Sequence, residues 1–530
     1  MGFRFILLVL LFTSLYGLLG LQLYRIQIVQ SGVFKEKIEA SEKFNTKLAL
    51  RRGQIFFRDK NQKLIAVSQN RDKPIIFASP EEIKDPKTVS KLLASIVNRE
   101  ESVLTKILSK PKSFFEPLVE EPTKEQMNFV NKLKTENING VHIRNKQYRY
   151  YPYEDLGSHL LGFVGVNETH SEPIGLYGIE KFYNEKLTPG DDIKLTIDHN
   201  LQAQSEQLLQ RLIEEYAATG GTIIIQEPTT GKILTLANAP DFNPNEYSQS
   251  PVKNFLNPAV QYVYEPGSVF KPITMAVGIE TGALTPETTF TDSGSVILNG
   301  KTIKNWDLKA YGKITMTNVI EHSVNTGVVY AQKLIGNAKF YEYLKKFGFA
   351  GKTGVDLPDE TNGSLKNLEN KDARAIDFAT ASFGQGTAVT PVQLINAFSA
   401  IANGGLLMKP FINSESEPYV IRRVVSRETA EKVTKMMESA VEKAQVAAIK
   451  SYHVAGKTGT AQIPNFQTGG YTEEFIHTYV GFAPASAPRF VILIKLDKPN
   501  VTLAGVTVVP AFKELAQFVL NYYNIPPDNL

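Results

Sequence analysis

The chain has 530 residues, of which 42% are hydrophobic and 21% charged. That is a globular composition of two or three domains at about 150 residues each, which excludes collagen, a disordered tail and a polytopic membrane protein. Its 58 Lys and Arg against 54 Asp and Glu leave +4, too dilute for a nucleic-acid groove, and zero Cys excludes disulfides, Cys zinc sites and a Cys nucleophile.

Residues 5–23 are apolar and uncharged. At about 1.5 Å per residue they span roughly 29 Å, close to the hydrocarbon thickness of a bilayer. Tyr24-Arg25-Ile26-Gln27 follows, with no small-x-small cleavage site. This predicts an uncleaved anchor over residues 5–25 behind a short tail at residues 1–4. Arg4 precedes the span and Arg25, Lys35 and Lys37 follow it, so the positive-inside count alone does not argue for export. Long domains translocate largely regardless of charge, and the rest of the chain reads as one soluble body on a tether.

Residues 26–47 are polar and helix-compatible. From Leu48 to about Pro189 the composition is mixed, with short strands and helices predicted at 101–110 and 124–134. The turn cluster Leu187-Thr188-Pro189-Gly190-Asp191-Asp192 separates a domain at 26–190 from one at 191–530. Beyond it, 194–197 reads as a strand and 201–216 as an amphipathic helix. Strands 222–226 and 232–237 form a hairpin around Pro228 and Gly231. Two further strands, 478–482 and 489–496, precede a last helix at 511–523. Helices and hairpin strands in mixed order predict an α+β fold, an antiparallel sheet flanked by helices.

The chemistry follows by elimination. The seven histidines form no His-Glu-x-x-His or other metal spacing, so no metal is expected. No Gly-x-Ser-x-Gly elbow occurs, which argues against an α/β-hydrolase. Gly351-Lys352-Thr353 and Gly456-Lys457-Thr458 look like P-loop ends, but Lys346 and Ser451 stand where the upstream glycine must be.

A serine activated by lysine remains, through Ser-x-x-Lys, Ser-x-Asn and Lys-Thr-Gly. The first occurs at Ser109, Ser250 and Ser268, the second at Ser68 and Ser323, the third at Lys352 and Lys457. Ser109 and Ser250 lie beside Pro111 and Pro251, in a helix end and a loop. Ser68 precedes every nucleophile candidate, and Lys352 reads as a turn after a helix. Ser268, in Tyr264-Glu265-Pro266-Gly267-Ser268, opens an apolar helix, and Lys271 shares its face three residues on.

To act as a base, Lys271 must fall from a pKa of about 10.4 toward about 7–8, a cost of about 4 kcal/mol. A helix N-terminus supplies at most about 2 kcal/mol. Burial and a second cation are therefore required, and Lys457 is the candidate. The Ser323 hydroxyl can relay a proton from Lys271 to a leaving amine. The Asn325 amide can donate to and accept from a substrate peptide bond. Lys457-Thr458-Gly459-Thr460 reads as a strand whose glycines let another backbone approach. An extended peptide can pair there, its carboxylate meeting Lys457, Thr458 and Thr460.

Together, Ser268-x-x-Lys271, Ser323-x-Asn325 and Lys457-Thr458-Gly459 resemble, in order and spacing, the motif set of the penicillin-binding proteins. The flanks agree: Ser382-Phe383-Gly384-Gln385-Gly386, Ala402-Asn403-Gly404-Gly405 and Val480-Gly481-Phe482-Ala483-Pro484-Ala485. Arg52-Gly53-Gln54-Ile55 and Gly175-Leu176-Tyr177-Gly178-Ile179-Glu180 resemble the family's pedestal domain. The chain is most similar to the monofunctional class B type, because the stretch before Pro189 is too short for a glycosyltransferase. It departs at Phe57-Arg58-Asp59-Lys60-Asn61, where relatives usually carry Asp-Arg-Asn-Gly, and at Val324, where Ser-Asp-Asn has an acid.

The resemblance implies a penicillin-binding-protein/serine β-lactamase-like transpeptidase domain at 191–530 and a mixed α/β pedestal, or dimerisation-like domain, at 26–190. One transmembrane helix in a bacterial cell membrane would hold the catalytic domain outside the cytoplasm. It further implies that Ser268 attacks the penultimate carbonyl of a D-alanyl-D-alanine stem peptide of peptidoglycan, releasing D-alanine. An amine of a neighbouring stem peptide then resolves the acyl-enzyme. The backbone N–H groups of Ser268 and Thr460 would form the oxyanion hole, β-lactams would acylate the same serine, and no cofactor is needed. Glu265 ahead of Pro266-Gly267-Ser268 resembles the division-type group more than the elongation-type. Its expected partners are a membrane-embedded glycan polymerase and other division proteins. A β-lactamase is disfavoured, since no class A Glu-x-x-Leu-Asn string occurs. A D,D-carboxypeptidase shares the site and is disfavoured by the pedestal and the Glu265 context.

Overall fold

The computed structural model describes residues 2–25, 51–167, 170–465 and 467–529. The polar stretch at 26–47 lies outside the described residues. The chain forms two compact units.

The first unit is built mainly from residues 70–148. Its helices are Pro86–Val97, Glu101–Leu108 and Lys124–Thr135. The second ends two residues short of expectation, with Ser109 at its C-cap ahead of Pro111. The third starts at a capping box, Thr123 with Gln126. Pro86–Val97 has no counterpart in the sequence reading, although its start carries two local signals. Asp85 accepts from the N–H groups of Lys87 and Thr88 at 3.2 and 3.3 Å, and Pro86 stands where its missing N–H costs nothing. Leu93, Leu104, Leu108, Leu118, Val130 and Leu133 form the core.

The second unit comprises residues 53–69, 149–187 and 191–530. Its centre is a five-stranded sheet of β1 (Gly220–Gln226), β2 (Ile233–Ala239), β3 (Ala455–Pro464), β4 (Tyr471–Ala483) and β5 (Phe490–Asp497). The spatial order is β3-β4-β5-β1-β2, every pair antiparallel, with β3 at one edge. The alternation of a strand sorts the apolar runs onto two faces. Ile223, Ile225, Ile492 and Ile494 meet helices α1 (His199–Tyr216) and α5 (Val508–Tyr522). Ile224, Val480, Val491 and Leu493 join a cluster with Ile273 and Val277 of α2 (Lys271–Glu280) and Ile395 and Phe398 of α4 (Pro391–Ala402). Both faces are buried at the centre of the sheet, so β1 and β5 carry near-continuous apolar runs. At about 1.5–3 kcal/mol per buried side chain this sandwich is the main stabilising element. It is the expected α+β arrangement.

Element ends differ for local reasons. Helix α1 starts two residues early because Asp198 caps it, accepting from Asn200 and Leu201 N–H at 2.9 and 3.1 Å. Helix α5 starts at Val508 and carries Pro510 in its first turn, where proline is tolerated. Strand β4 begins seven residues before the expected 478. Its first half, with Glu473 and Glu474, continues the pairing with β3 beyond the apolar sheet, Gln462 opposite Phe475 and Pro464 opposite Tyr471. At the atypical 57–61 stretch, Asp59 holds the turn by accepting from Asn61 and Lys63 N–H at 2.8 and 2.9 Å.

The amino-terminal helix is Gly2–Tyr24. Among the described residues no helix is long and apolar enough to cross a membrane, so the anchor over 5–25 stands as a proposal.

Candidate active site

Ser268 lies in a single 3₁₀ turn, Gly267–Phe270, that runs directly into α2. The sequence suggests an α-helical start. The turn ends at Phe270, and Lys271 follows as the first residue of α2. The turn is wedged in place. Gly267 has φ +64°, and its N–H donates to Gly384 O at 3.1 Å. A Cβ on Gly384 would fall 2.3 Å from Gly267 O. The Ser382–Gly386 flank thus buttresses the Ser268 turn. Thr274 Oγ1 adds a bond to Ser382 O at 2.7 Å. Glu265 accepts from Gly386 N–H at 2.9 Å and from Tyr471 Oη at 3.0 Å, contacts the sequence did not suggest.

Lys271 is fully buried. Its Nζ donates to the Ser323 carbonyl and to Ser323 Oγ, the latter at 2.9 Å. Ser323 has φ +56° in the turn before α3 (Asn325–Ile335). Asn325 donates from Nδ2 to Lys304 O at 2.8 Å, a partner that no motif announces.

Lys457 lies on β3 opposite Val480 of β4 and is 4% exposed. Its Nζ lies 3.2 Å from both the carbonyl and the hydroxyl of Thr458. Burial lowers its pKa to about 7. Burial, with the Lys457 charge added, holds Lys271 well below the usual lysine range. Both effects that a lysine base requires are therefore present.

Gly459 explains how the strand reaches the Ser268 turn. A Cβ there would sit 2.7 Å from Pro266 O and 3.2 Å from Val269 N, so only glycine lets β3 lie against the Ser268 turn. The Thr460 hydroxyl accepts from Ala504 N–H at 3.3 Å. Strand β3 lies at the edge of the sheet, with β4 as its one strand partner among the described residues.

The rejected matches lie elsewhere. Ser109 and Ser250 are helix C-caps, and Ser68 is buried and donates to Glu180 at 2.9 Å. Lys352 is exposed on a loop. Among the described residues one histidine joins a possible ligand group. His453 approaches Glu438 and Glu442, and their ligand atoms lie within 4.8 Å of one another.

The family model for the penicillin-binding protein transpeptidase domain matches residues 221–517. The chain belongs to that family. A second model, for the penicillin-binding protein dimerisation domain, matches residues 48–221. Stage V sporulation protein D of Bacillus subtilis (strain 168) is 30% identical over 98% of this chain and 86% of its own length. Peptidoglycan D,D-transpeptidase FtsI of Escherichia coli (strain K12) is 29% identical over 86% of this chain and 81% of its own. Among solved structures, a peptidoglycan synthetase from Bifidobacterium adolescentis is 25% identical at a TM-score of 0.69, covering 91% of this chain and 97% of its own. Penicillin Binding Protein 2X from Streptococcus thermophilus shares the fold at a TM-score of 0.73, with 20% identity, 90% of this chain and 80% of its own. The reading of the chain as a class B penicillin-binding protein, a serine-type D,D-transpeptidase that binds penicillin, is borne out.

Proposed function

We propose that this transpeptidase cross-links peptidoglycan stem peptides during cell division through an acyl-enzyme on Ser268. Neutral Lys271 takes the Ser268 Oγ proton as the oxygen attacks the penultimate D-alanyl carbonyl. The tetrahedral oxyanion is held by the backbone N–H groups of Ser268 and Thr460, each donor worth about 10²–10³ in rate. The C–N bond then breaks, and the proton returns through Ser323 to the departing D-alanine amine. A stem-peptide amine attacks the ester and loses a proton to Lys271, the ester C–O bond breaks, and Lys271 returns that proton to Ser268 Oγ. Asn325 orients the donor peptide bond. Lys457, Thr458 and Thr460 receive the terminal carboxylate, and Gly459 allows the donor strand to approach.

The observation that carries this reading is the pair of buried lysines, one bonded to Ser323 and the other on the strand that Gly459 brings against the Ser268 turn. The division assignment is supported by Glu265 before Pro266-Gly267-Ser268 and by the likeness to FtsI. A single-pass anchor with residues 26–190 as pedestal and 191–530 as catalytic domain, outside the cytoplasm, is supported by the helix Gly2–Tyr24 and its exposed Ile6, Leu10, Leu18 and Leu21. A membrane-embedded glycan polymerase and other division proteins are the proposed partners.

The test is incubation of the full chain in detergent with a D-Ala-D-Ala donor peptide and an excess of an amine-bearing acceptor peptide. D-alanine release with a donor–acceptor dimer is expected. Release with hydrolysed donor alone makes the protein a D,D-carboxypeptidase.

A further inference from the structure

The turn that carries Ser323 is gripped by a segment outside all three motifs. Ser323 sits in the left-handed region, which disfavours a residue with a side chain, so its surroundings must hold it. Helix α3 starts immediately after, with Val324 at the cap position and no side-chain cap bond. Val has no acceptor to offer the free N–H groups of a first turn. The Thr326 N–H donates instead to Asn305 Oδ1, at 3.2 Å, from twenty-one residues upstream.

Asn305 is 2% exposed, and both its amide hydrogens are used, to Asp292 Oδ2 at 2.8 Å and Lys309 O at 2.9 Å. Asp292, equally buried, accepts from the Thr326 hydroxyl at 2.6 Å. The residues flanking Asn305 grip the same turn. Lys304 O accepts from Asn325 Nδ2 at 2.8 Å, and Trp306 Nε1 donates to His322 O at 3.1 Å. Three consecutive residues thus hold the turn on both sides of Ser323.

We propose that Asn305 is the positioning residue of the second motif. It supplies the cap that Val324 lacks and, with Lys304 and Trp306, keeps Ser323 on the Lys271 amine. Asn305 does not touch the reacting atoms. It acts through the turn, where a misplacement of about 1 Å costs about 10²-fold in rate. The inference rests on the proposed role of Ser323 as proton relay.

Single-turnover acylation of the full chain by a fluorescent penicillin separates initial binding from the acylation step. Asn305→Ala is expected to lower the acylation constant about 10²-fold and leave initial binding unchanged. Thr326→Val, nearly isosteric, is expected to do the same more weakly. Trp306 is the sole tryptophan, so its emission should shift in Asn305→Ala as the His322 contact loosens. Parental acylation by Asn305→Ala while Ser323→Ala is slow overturns the inference alone. Parental acylation by Ser323→Ala overturns the role of Ser323 itself. If Asn305→Ala does not fold, Asn305→Ser, whose shorter side chain gives up the Thr326 N–H, decides, and a parental rate there overturns the proposal.

Discussion

The chain carries Lys-Thr-Gly twice, and the two copies have opposite fates. At Lys457 the tripeptide is strand: the lysine is 4% exposed, and Gly459 presses on the Ser268 turn. At Lys352 it is loop, with the lysine exposed and Thr353 and Gly354 N–H both spent on the Glu360 carboxylate at 2.7 and 3.0 Å. The same tripeptide is extended backbone at a sheet edge beside the Ser268 turn in one place and a loop in the other. The difference lies in what flanks each copy. Apolar Val454 and Ala455 lead into a strand that β4 can pair with, whereas Gly348 and Gly351 break the chain after a helix.

Substitution at the two lysines should separate the copies most. Lys457→Ala should slow penicillin acylation by about 10²–10³, the scale of one lost electrostatic donor in an active site. An effect under tenfold would break the contrast. The two glycines come next. Gly459→Ala forces a Cβ against Pro266 O, an overpacking of about 1–3 kcal/mol in urea unfolding, together with slowed acylation. Gly354→Ala, at φ +77° with only the Lys409 side chain nearby, should cost about 1 kcal/mol and leave acylation alone.

A third contrast is in pH. The folded pKa of Lys457, about 7, lies below its ordinary 10.5, so the unfolded chain binds the extra proton between them. Stability must then rise with pH across that window. The parent-minus-Lys457→Met difference should carry this rise, and a flat difference would mean the amine is solvated. The smallest expected effect is Lys352→Ala, with stability within about 0.5 kcal/mol of the parent and an unchanged acylation rate.

What the sequence shows of the site is the part built from contiguous segments. Ser268, Lys271, Ser323 and Lys457 can each be chosen among false matches by the prolines, glycines and apolar runs beside them. The need for burial and a second cation at Lys271 follows from the pKa arithmetic alone. The sheet strands are legible because both their faces are buried and their residues β-branched. The first half of β4 is not, because it pairs outside the apolar sheet and reads as polar. Asn305 is hidden for a related reason. A cap supplied from twenty-one residues away has no local signature, and Val324 shows only that something must replace the cap. Helix Pro86–Val97 escapes the sequence reading, although Asp85-Pro86 marks its start.

The central claim is that Ser268 is the acylated nucleophile. The direct measurement is proteolysis of the penicillin-treated full chain, with the adduct located by tandem mass spectrometry. The adduct is expected on Ser268 and absent from Ser268→Ala. An adduct on Ser109 or Ser250, or one that persists in Ser268→Ala, would contradict the account.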